Sequence, residues 1–342
     1  MMNAQLQNPI TMPVDKLSRP LHDLRVSVIE ACNFRCPYCM PADKTPDDAI
    51  LQNATRLSFE QIEQAVKAFV KLGVRKVRLT GGEPLLRKNL PELVKRLSRI
   101  SGLEDIALTT NGSLLEKQAF ALKQAGLHRL TVSLDALDAD IFSQLSGGRG
   151  QVRDVLSGIE AAESAGFDSL KINAVIQRGI NENQVLPLVE KFRGTRHVLR
   201  FIEFMDVGNC NNWSMQDVVP SKELQSLIHG LWPLEPVSAN YRGEVASRYR
   251  FVDGTGEIGF VSSVSEPFCG DCHRARLSAD GHVYTCLFAG KGHDIRSELA
   301  DGDVALHEKL SRLWMNRADR YSELRHAQAK QGKKIEMYFI GG

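Results

Sequence analysis

Three cysteines lie close together near the start of the chain, in the segment Glu30-Ala-Cys-Asn-Phe-Arg-Cys-Pro-Tyr-Cys-Met40. They are Cys32, Cys36 and Cys39, and they follow an apolar run over 24–29 that is typical of a β-strand. A cubane iron-sulfur cluster normally takes four cysteine ligands, so three would leave one iron open to a small molecule with amino and carboxylate groups. A closed zinc site is the alternative, but zinc sites favour paired two-residue spacings and a fourth ligand nearby. The loop therefore predicts a 4Fe-4S cluster that takes part in chemistry.

A second group of three cysteines has the spacing Cys-x2-Cys-x13-Cys and comprises Cys269, Cys272 and Cys286. This spacing also suits a zinc ribbon with His273 or His282 as the fourth ligand. Arg274 and Arg276 alternate directly after the pair, so on an extended segment both point to one side and can clamp a triphosphate through bidentate bonds. The arginines favour a second open cluster beside a phosphate site, and the zinc ribbon stays open as the alternative.

The composition is that of a globular protein. Of 342 residues, 43% are hydrophobic and 25% charged, which is enough apolar content for a full core. A formal net charge of +2 argues against nucleic acid as a partner. Seven cysteines, with Cys210 apart from the two groups, suit metal ligation in a reducing cytosol better than disulfides. No secretion signal and no run of roughly 18 apolar residues is present, so we expect a soluble cytoplasmic protein without membrane contact.

Apolar strand-like runs alternate with helical patterns, which predicts an α/β fold with a parallel sheet. Six strands are predicted near 24–29, 76–80, 105–109, 129–134, 170–175 and 198–204. Helices are expected between them, including 114–124 and 58–72, which begins with the capping-box form Ser58-Phe-Glu-Gln61. A surface loop is predicted at 46–55. For the whole chain we predict an arm over 1–22, a barrel-like domain over 23–218 and an extension over 219–342.

Polar or glycine-containing motifs follow five of the six predicted strands. After the cysteine loop come Thr80-Gly-Gly-Glu-Pro84, Thr109-Thr-Asn-Gly112, Ser133-Leu-Asp135 and Glu203-Phe-Met205. Because the loops after the strands of an α/β barrel converge on one face, these motifs predict one active site. Gly82 offers backbone that a ligand can approach closely, and Glu83 can accept hydrogen bonds from an ammonium group.

The first cysteine segment resembles the Cys-x3-Cys-x2-Cys loop of radical S-adenosylmethionine (SAM) enzymes, including the aromatic residue before the last cysteine. The resemblance implies a partial (β/α)6 TIM-like barrel whose open iron chelates the methionine end of SAM. It implies a C-terminal α+β extension that carries the second cluster. The positions implied for SAM binding are Tyr38, Gly82, Glu83, Ser133 and Met205.

Within this superfamily the chain resembles the GTP 3',8-cyclase family (molybdenum cofactor biosynthesis protein A) over nearly all of 24–342. The motifs that carry the resemblance are 269–287, Lys76-Val-Arg-Leu-Thr-Gly-Gly-Glu-Pro84, Arg200-Phe-Ile-Glu-Phe-Met-Asp-Val-Gly208 and the terminal Gly341-Gly342. The implied GTP-binding positions are Arg25, Arg78, Thr109, Lys171, Arg200, Arg274 and Arg276. In this family the C-terminal tail enters the active site. The resemblance therefore implies a catalytic group of Arg25, Arg274, Arg276, Gly341 and Gly342.

The resemblance implies two 4Fe-4S clusters and SAM as cofactors and GTP as substrate. A 5'-deoxyadenosyl radical would abstract the 3' hydrogen of the ribose, and C3' would attack C8 of guanine. The product would be (8S)-3',8-cyclo-7,8-dihydroguanosine 5'-triphosphate, formed in the first step of molybdenum cofactor biosynthesis. The implied partners are a flavodoxin or ferredoxin system as electron donor, the downstream cyclic pyranopterin monophosphate synthase, and a second copy of the chain in a homodimer.

Three departures from the family pattern stand out: His273 in place of asparagine, Glu30-Ala31 in place of Asp-Arg, and a longer polar segment at 209–213. None removes a cluster cysteine. Two other functions remain as alternatives: a radical SAM enzyme that modifies a peptide with an auxiliary cluster, and a non-catalytic iron or zinc redox sensor. The sensor would leave the strand-end motifs without a role, and the peptide enzyme would not explain the arginine pair or the diglycine.

Overall fold

The computed structural model describes residues 12–43, 56–325 and 333–341. The surface loop predicted at 46–55 lies outside these ranges, as do Gly342 and the first half of the arm predicted over 1–22.

The described chain is organised around one mixed sheet of twelve strands. The strands are β1 Asp23–Ser27, β2 Lys76–Thr80, β3 Asp105–Thr110, β4 Arg129–Ser133, β5 Lys171–Ile176, β6 Val198–Glu203, β7 Leu234–Val237, β8 Ser247–Phe251, β9 Glu257–Val261, β10 Arg274–Leu277, β11 His282–Tyr284 and β12 His293–Asp294. Their order in the sheet is β12-β11-β10-β1-β2-β3-β4-β5-β6-β9-β8-β7. Neighbours from β10 through β1 to β6 and on to β9 pair in parallel, and the two ends of the sheet are antiparallel.

Helices connect the parallel strands and cover the outer face. They are α1 Phe59–Lys71, α2 Leu90–Leu97, α3 Ala119–Gln124, α4 Ala139–Leu145, α5 Val152–Ser164, α6 Val185–Phe192, α7 Ser221–Leu231, α8 Arg296–Asp301, α9 Asp303–Met315 and α10 Met337–Ile340. The α/β architecture with six βα units confirms the predicted partial barrel. The sheet does not close on itself, because its end strands β12 and β7 are not neighbours.

The predicted strands agree with the observed ones to within one or two residues at each end. The capping box of α1 is also present: the Ser58 hydroxyl accepts from the Gln61 N–H at 3.2 Å, and the Gln61 side chain accepts from the Ser58 N–H at 2.9 Å. The helix predicted over 114–124 is wrong at its start, since α3 begins at Ala119. Turns precede it instead, because the Leu115 N–H bonds to the Gly112 carbonyl rather than continuing a helix.

Successive side chains of a strand point to opposite faces of the sheet, so one face packs against the helices as the core and the other faces the inside of the partial barrel. On β2, Val77 and Leu79 are fully buried against the helical layer, while Lys76 and Arg78 point to the other face. The predicted extension contributes strands to the same sheet: β10 pairs with β1 and β9 pairs with β6. In the part of the chain described, no helix has the length and apolar character needed to cross a membrane.

Candidate active site

A cavity of about 350 Å³ lies on the concave face of the sheet. Alternate residues of the parallel strands line it, for example Lys76, Arg78 and Thr80 on β2 and Lys171 and Asn173 on β5. In a packed barrel such inward positions carry branched apolar side chains that fill the interior. Here they are polar and cationic, so the interior is shaped to receive an anionic polar ligand.

Most of the residues predicted from the sequence to form the site line this one cavity. They are Arg25, Cys32, Cys36, Tyr38, Cys39, Arg78, Gly82, Thr109, Ser133, Lys171, Arg200, Met205, Cys269, Cys272, Arg274, Arg276 and Cys286. Glu83 and Gly341 are not among the lining residues, but Glu83 follows Gly82 in the chain and the Gly341 carbonyl accepts a hydrogen bond from Arg276. The fold therefore brings both cysteine groups to the same space as the predicted cations.

The first cysteine loop is held by its own backbone and by one arginine. The Cys39 N–H bonds to the Cys36 carbonyl at 2.9 Å, which closes a tight turn. Arg35 donates to the carbonyls of Cys32 at 2.6 Å and Phe34 at 2.8 Å. These bonds turn the three thiols toward the cavity, where each is partly exposed.

The glycines of the Thr80-Gly-Gly-Glu motif support this loop. A Cβ at Gly81 would collide with the Ile29 carbonyl, and one at Gly82 with the Ala31 carbonyl. The Gly82 N–H also donates to the Ile29 carbonyl at 2.7 Å. Close approach to the backbone that leads into the cysteines therefore requires both glycines, in addition to any contact that Gly82 makes with a ligand.

Glu83 is buried, with 1% exposure, and its carboxylate organises the neighbouring strand ends. It accepts hydrogen bonds from the Thr110 hydroxyl at 2.7 Å, the Asn111 N–H at 2.7 Å and the Leu85 N–H at 3.0 Å. Burial outweighs these bonds and raises the pKa of Glu83 to about 7. Its predicted contact with the ammonium group of SAM stays a prediction.

Tyr38 and Asp135 join the cysteine loop to the end of β4. The Tyr38 hydroxyl donates to the Asp135 carboxylate at 2.6 Å, and the other oxygen of Asp135 accepts from the Val175 N–H at 2.8 Å. Burial raises the pKa of Asp135 to about 6, although both hydrogen bonds favour its charged form. The link fixes the ring of Tyr38 beside the cavity.

A row of cationic side chains crosses the face of the sheet that lines the cavity. The strand register places Arg25 of β1 directly between Arg276 of β10 and Arg78 of β2. Like charges opposite each other destabilise a sheet. Burial and the charges of Arg276, Arg78 and Arg274 lower the pKa of Arg25. A bound anion would relieve this repulsion.

Neutral partners, rather than carboxylates, orient these cations. Arg78 donates to the hydroxyls of Thr109 at 3.0 Å and Thr131 at 2.9 Å, and Arg200 donates to the Asn173 side chain at 2.7 and 2.9 Å. Within the described ranges, no carboxylate lies within ion-pair distance of Arg25, Arg78, Lys171, Arg200, Arg274 or Arg276. The row is therefore oriented but not neutralised.

Two lysines in the same interior have lowered pKa values. Burial, followed by the charge of Arg200, lowers the pKa of Lys171 to about 7. Burial also lowers the pKa of Lys76 to about 8, against the opposing effect of Asp23. An entering anion would raise both pKa values, and Lys171, whose pKa lies near 7, would then take up a proton at neutral pH.

The second cysteine group also lines the cavity. Burial raises the pKa of the Cys272 thiol, but the charges of Arg274 and Arg317 outweigh it and lower that pKa to about 7. The guanidinium groups approach the Cys272 Sγ at 3.4 Å from Arg274 and 3.2 Å from Arg317. The Nη1 atom of Arg274 is buried without a hydrogen-bond partner among the described residues.

The C-terminal tail reaches this region through Gly341. Arg276 donates to the Gly341 carbonyl, and a side chain at Gly341 would collide with Thr80. Met337 and Tyr338 of α10 line the cavity. The tail therefore contacts the cation row through its backbone.

The donor sets of both cysteine groups fit iron-sulfur clusters. Each group presents three thiols to the cavity and leaves a fourth coordination position to a ligand, and none of the six is in a disulfide. Burial raises the pKa of Cys32 and Cys286 to about 12, and bound iron would supply the positive charge that favours their thiolates. Among the described residues, no three His, Cys, Asp or Glu side chains converge on a position for a single metal ion.

Sequence reasoning missed several lining residues, among them Lys76, Asn173 and Tyr241. Lys76 stands two positions before Arg78 on the same strand, so the period of two was a signal for it. Tyr241, whose hydroxyl accepts from Lys76 Nζ at 3.3 Å, comes from the loop between β7 and β8 and carried no such signal.

Comparisons with known proteins agree with this geometry. Residues 26–192 match the Radical SAM superfamily, and residues 197–323 match the family described as Molybdenum Cofactor Synthesis C. The chain is 64% identical over 328 residues to GTP 3',8-cyclase of Xanthomonas campestris pv. campestris (strain B100), which covers 96% of this chain and 97% of the relative. It is 48% identical to GTP 3',8-cyclase of Acidothermus cellulolyticus, over 97% of this chain and 100% of the relative.

Solved structures at low identity share the fold. SuiB of Streptococcus suis bound to S-adenosylmethionine aligns with a TM-score of 0.63 and 14% identity, over 90% of this chain and 68% of SuiB. Native anSMEcpe with bound AdoMet aligns with a TM-score of 0.58 and 16% identity, over 93% of this chain and 94% of that one. At these identities the likeness shows the architecture alone.

Proposed function

The chain belongs to the GTP 3',8-cyclase family of radical SAM enzymes, and from that premise we propose that its cavity holds GTP between two 4Fe-4S clusters. The activity is that of the family: cyclisation of GTP between C3' of the ribose and C8 of guanine, in molybdenum cofactor biosynthesis. The observation that carries the proposal is a single cavity bordered by both cysteine groups and by an oriented, unneutralised row of cations.

Cys32, Cys36 and Cys39 would hold the first cluster, and Cys269, Cys272 and Cys286 the second. When bound, the first cluster and SAM supply the radical chemistry that removes the 3' hydrogen of the ribose. The second cluster is supported by the donor set around Cys272 and by the unpartnered Nη1 of Arg274.

The cation row would bind the triphosphate. Arg25, Arg78 and Arg276 lie side by side in register, and Lys171 and Arg200 extend the row along the sheet. Charged hydrogen bonds from fixed guanidinium groups give both affinity and orientation. Thr109 contributes by holding Arg78 at 3.0 Å.

The SAM end of the cavity would be formed by the strand-end motifs. Tyr38, Gly82, Ser133 and Met205 line the cavity, and Glu83 orders the backbone behind it. The Gly341 carbonyl orients Arg276, and Met337 and Tyr338 of the tail would help to exclude water from the cavity when its ligands are bound.

We propose the remaining partners from the family: a flavodoxin or ferredoxin system as electron donor, cyclic pyranopterin monophosphate synthase downstream, and a homodimer. The six unpaired cluster cysteines suit a reducing compartment, which supports a cytoplasmic location.

The test is anaerobic turnover of the iron-sulfide-reconstituted protein with SAM, dithionite and either GTP, ATP or no nucleotide. We expect 5'-deoxyadenosine and an oxidisable fluorescent pterin precursor to form only with GTP. Iron analysis should give about eight irons per chain, and about four after Cys272→Ala. Formation of 5'-deoxyadenosine regardless of nucleotide, with no pterin, would reject GTP as the substrate.

A pair of variants tests the cation row. Arg25→Met should lower kcat/KM for GTP at least about tenfold, because a charged hydrogen bond contributes roughly 1.5–3 kcal/mol. Arg296→Met, which removes an exposed ion pair with Asp294, should leave it unchanged. Equal kinetics in the two variants would contradict the role of Arg25.

A further inference from the structure

A buried group of three residues holds the backbone of the second cysteine region. It comprises Asp15 and Arg19 from the N-terminal segment and Arg317 from the segment after α9, each no more than 4% exposed. Asp15 pairs with Arg19 at 2.6 Å and with Arg317 at 3.2 Å. We call this group the Arg-Asp-Arg clamp.

The clamp contacts the backbone at or next to every cysteine of the second group. Arg19 donates to the Cys269 carbonyl at 2.6 Å, and Arg317 donates to the Cys272 carbonyl at 2.6 Å. Arg317 also donates to the carbonyl of Thr285, the residue before Cys286, at 3.1 Å. Two guanidinium groups thus join segments that are far apart in the sequence.

Arg317 makes one further contact that a purely structural arginine would not need. Its Nη2 lies 3.2 Å from the Cys272 Sγ, in addition to its carbonyl contacts. Its plane is fixed over the Trp314 ring, with Cζ 4.7 Å from the centroid. The nearby carboxylate of Asp319, at 3.3 Å from Arg317 Nε, offsets part of the positive charge.

We propose that Arg317, held in place by Asp15 and Arg19, is a positioning residue for the second cluster and raises its reduction potential. The inference rests on the proposed second cluster. An N–H···S bond from a charged guanidinium favours the more negative, reduced form of a cluster. The planar guanidinium donates to these acceptors from three separate nitrogens in one rigid plane, whereas the three N–H groups of a lysine share a single nitrogen.

The test measures the potential of the second cluster rather than turnover. In full-length protein with Cys32, Cys36 and Cys39 replaced by alanine, any remaining 4Fe-4S signal belongs to the second group. An anaerobic redox titration followed by electron paramagnetic resonance gives its midpoint potential. Arg317→Met should lower the ratio of reduced to oxidised cluster at a fixed potential about tenfold, which is about 59 mV for a one-electron couple.

Arg317→Lys should give a smaller negative shift, because it keeps the charge but loses the fork of donors. Arg296→Met is the matched control and should leave the potential unchanged, since its ion pair with Asp294 is exposed. If Arg317→Met does not retain iron, Arg317→Lys carries the test, and an unchanged potential in Arg317→Lys would then overturn the inference.

The two proposals fail in different ways. A parent protein that retains no iron in the triple-alanine background would overturn the second cluster, and the inference with it. A parent that keeps its cluster, with Arg317→Met at the same potential, would overturn only the role of Arg317.

Discussion

The charge of Lys171 depends on what occupies the cavity. Burial, with repulsion from Arg200, lowers its pKa to about 7, so it loses its proton more readily than an exposed lysine. An anionic ligand would favour the protonated form and raise this pKa. Binding of a triphosphate near neutral pH would therefore take up a proton at Lys171.

We expect the affinity for GTP to be highest below pH 7 and to fall as the pH rises through the pKa of Lys171. The pKa of Lys171 is about 7 in the free state and higher in the ligand-bound state. Its contribution to binding is therefore full below about pH 7, declines between the two pKa values and is lost above the ligand-bound pKa. Isothermal titration calorimetry of GTP between pH 6 and pH 9 checks this.

Lys171→Met is the matched comparison, since ionisation of the triphosphate is the same for both proteins. The variant should bind GTP more weakly at pH 6 and should show a flatter pH dependence. Parallel pH profiles for the two proteins would show that Lys171 does not carry the effect.

Among the structural elements, the C-terminal segment depends on the loop after β6 for its position. The Glu336 carboxylate accepts from the Asn209 N–H at 3.0 Å and from its side-chain amide at 2.9 Å. The Lys334 N–H donates to the Asn209 side chain at 3.0 Å, and Lys334 Nζ lies 2.8 Å from Asp206. The polar segment at 209–213 therefore anchors the tail whose Gly341 contacts Arg276.

Asn209→Ala should release this anchor. We expect faster tryptic cleavage after Lys333 and Lys334, and a lower yield of cyclised product per 5'-deoxyadenosine formed, because Arg276 loses its oriented partner. Limited proteolysis followed by mass spectrometry, together with product analysis, measures both effects.

The control for this prediction is Asn183→Ala, at an exposed asparagine of the short 3-10 helix before α6. It should leave unchanged both the rate of tryptic cleavage and the yield of cyclised product per 5'-deoxyadenosine. If Asn209→Ala matches the control in both assays, the anchor has no role in holding the tail.

At the level of the whole molecule, the barrel and the extension share one sheet. The extension supplies β10 beside β1 and β9 beside β6, so it covers both edges of the six-stranded unit. Phe201 of β6 is fully buried and packs 6.2 Å, centroid to centroid, from Phe260 of β9. Without β10 and β9, the edges of β1 and β6 would be unpaired, and unpaired strand edges promote association between chains.

A fragment that ends at residue 218 should therefore aggregate. It would expose the edges of β1 and β6 and the apolar surface around Phe201, which corresponds to roughly 2–3 kcal/mol for that side chain alone. Size-exclusion chromatography against the full chain measures the outcome. A monomeric fragment with cooperative unfolding would show that 23–218 is an independent domain.

The sequence by itself determined the features that depend on local pattern. Cysteine spacing indicated the two cysteine groups that line the cavity, and the period of two in runs such as 76–80 indicated the strands. The convergence of motifs after parallel strands followed from a general property of α/β folds. Only the tertiary structure decided the rest. Register set Arg25 between Arg78 and Arg276, and packing brought Asp15 to Arg317, 302 residues away. Such contacts have no local periodicity, because strand pairing and buried ion pairs form between segments whose separation in the sequence carries no signal.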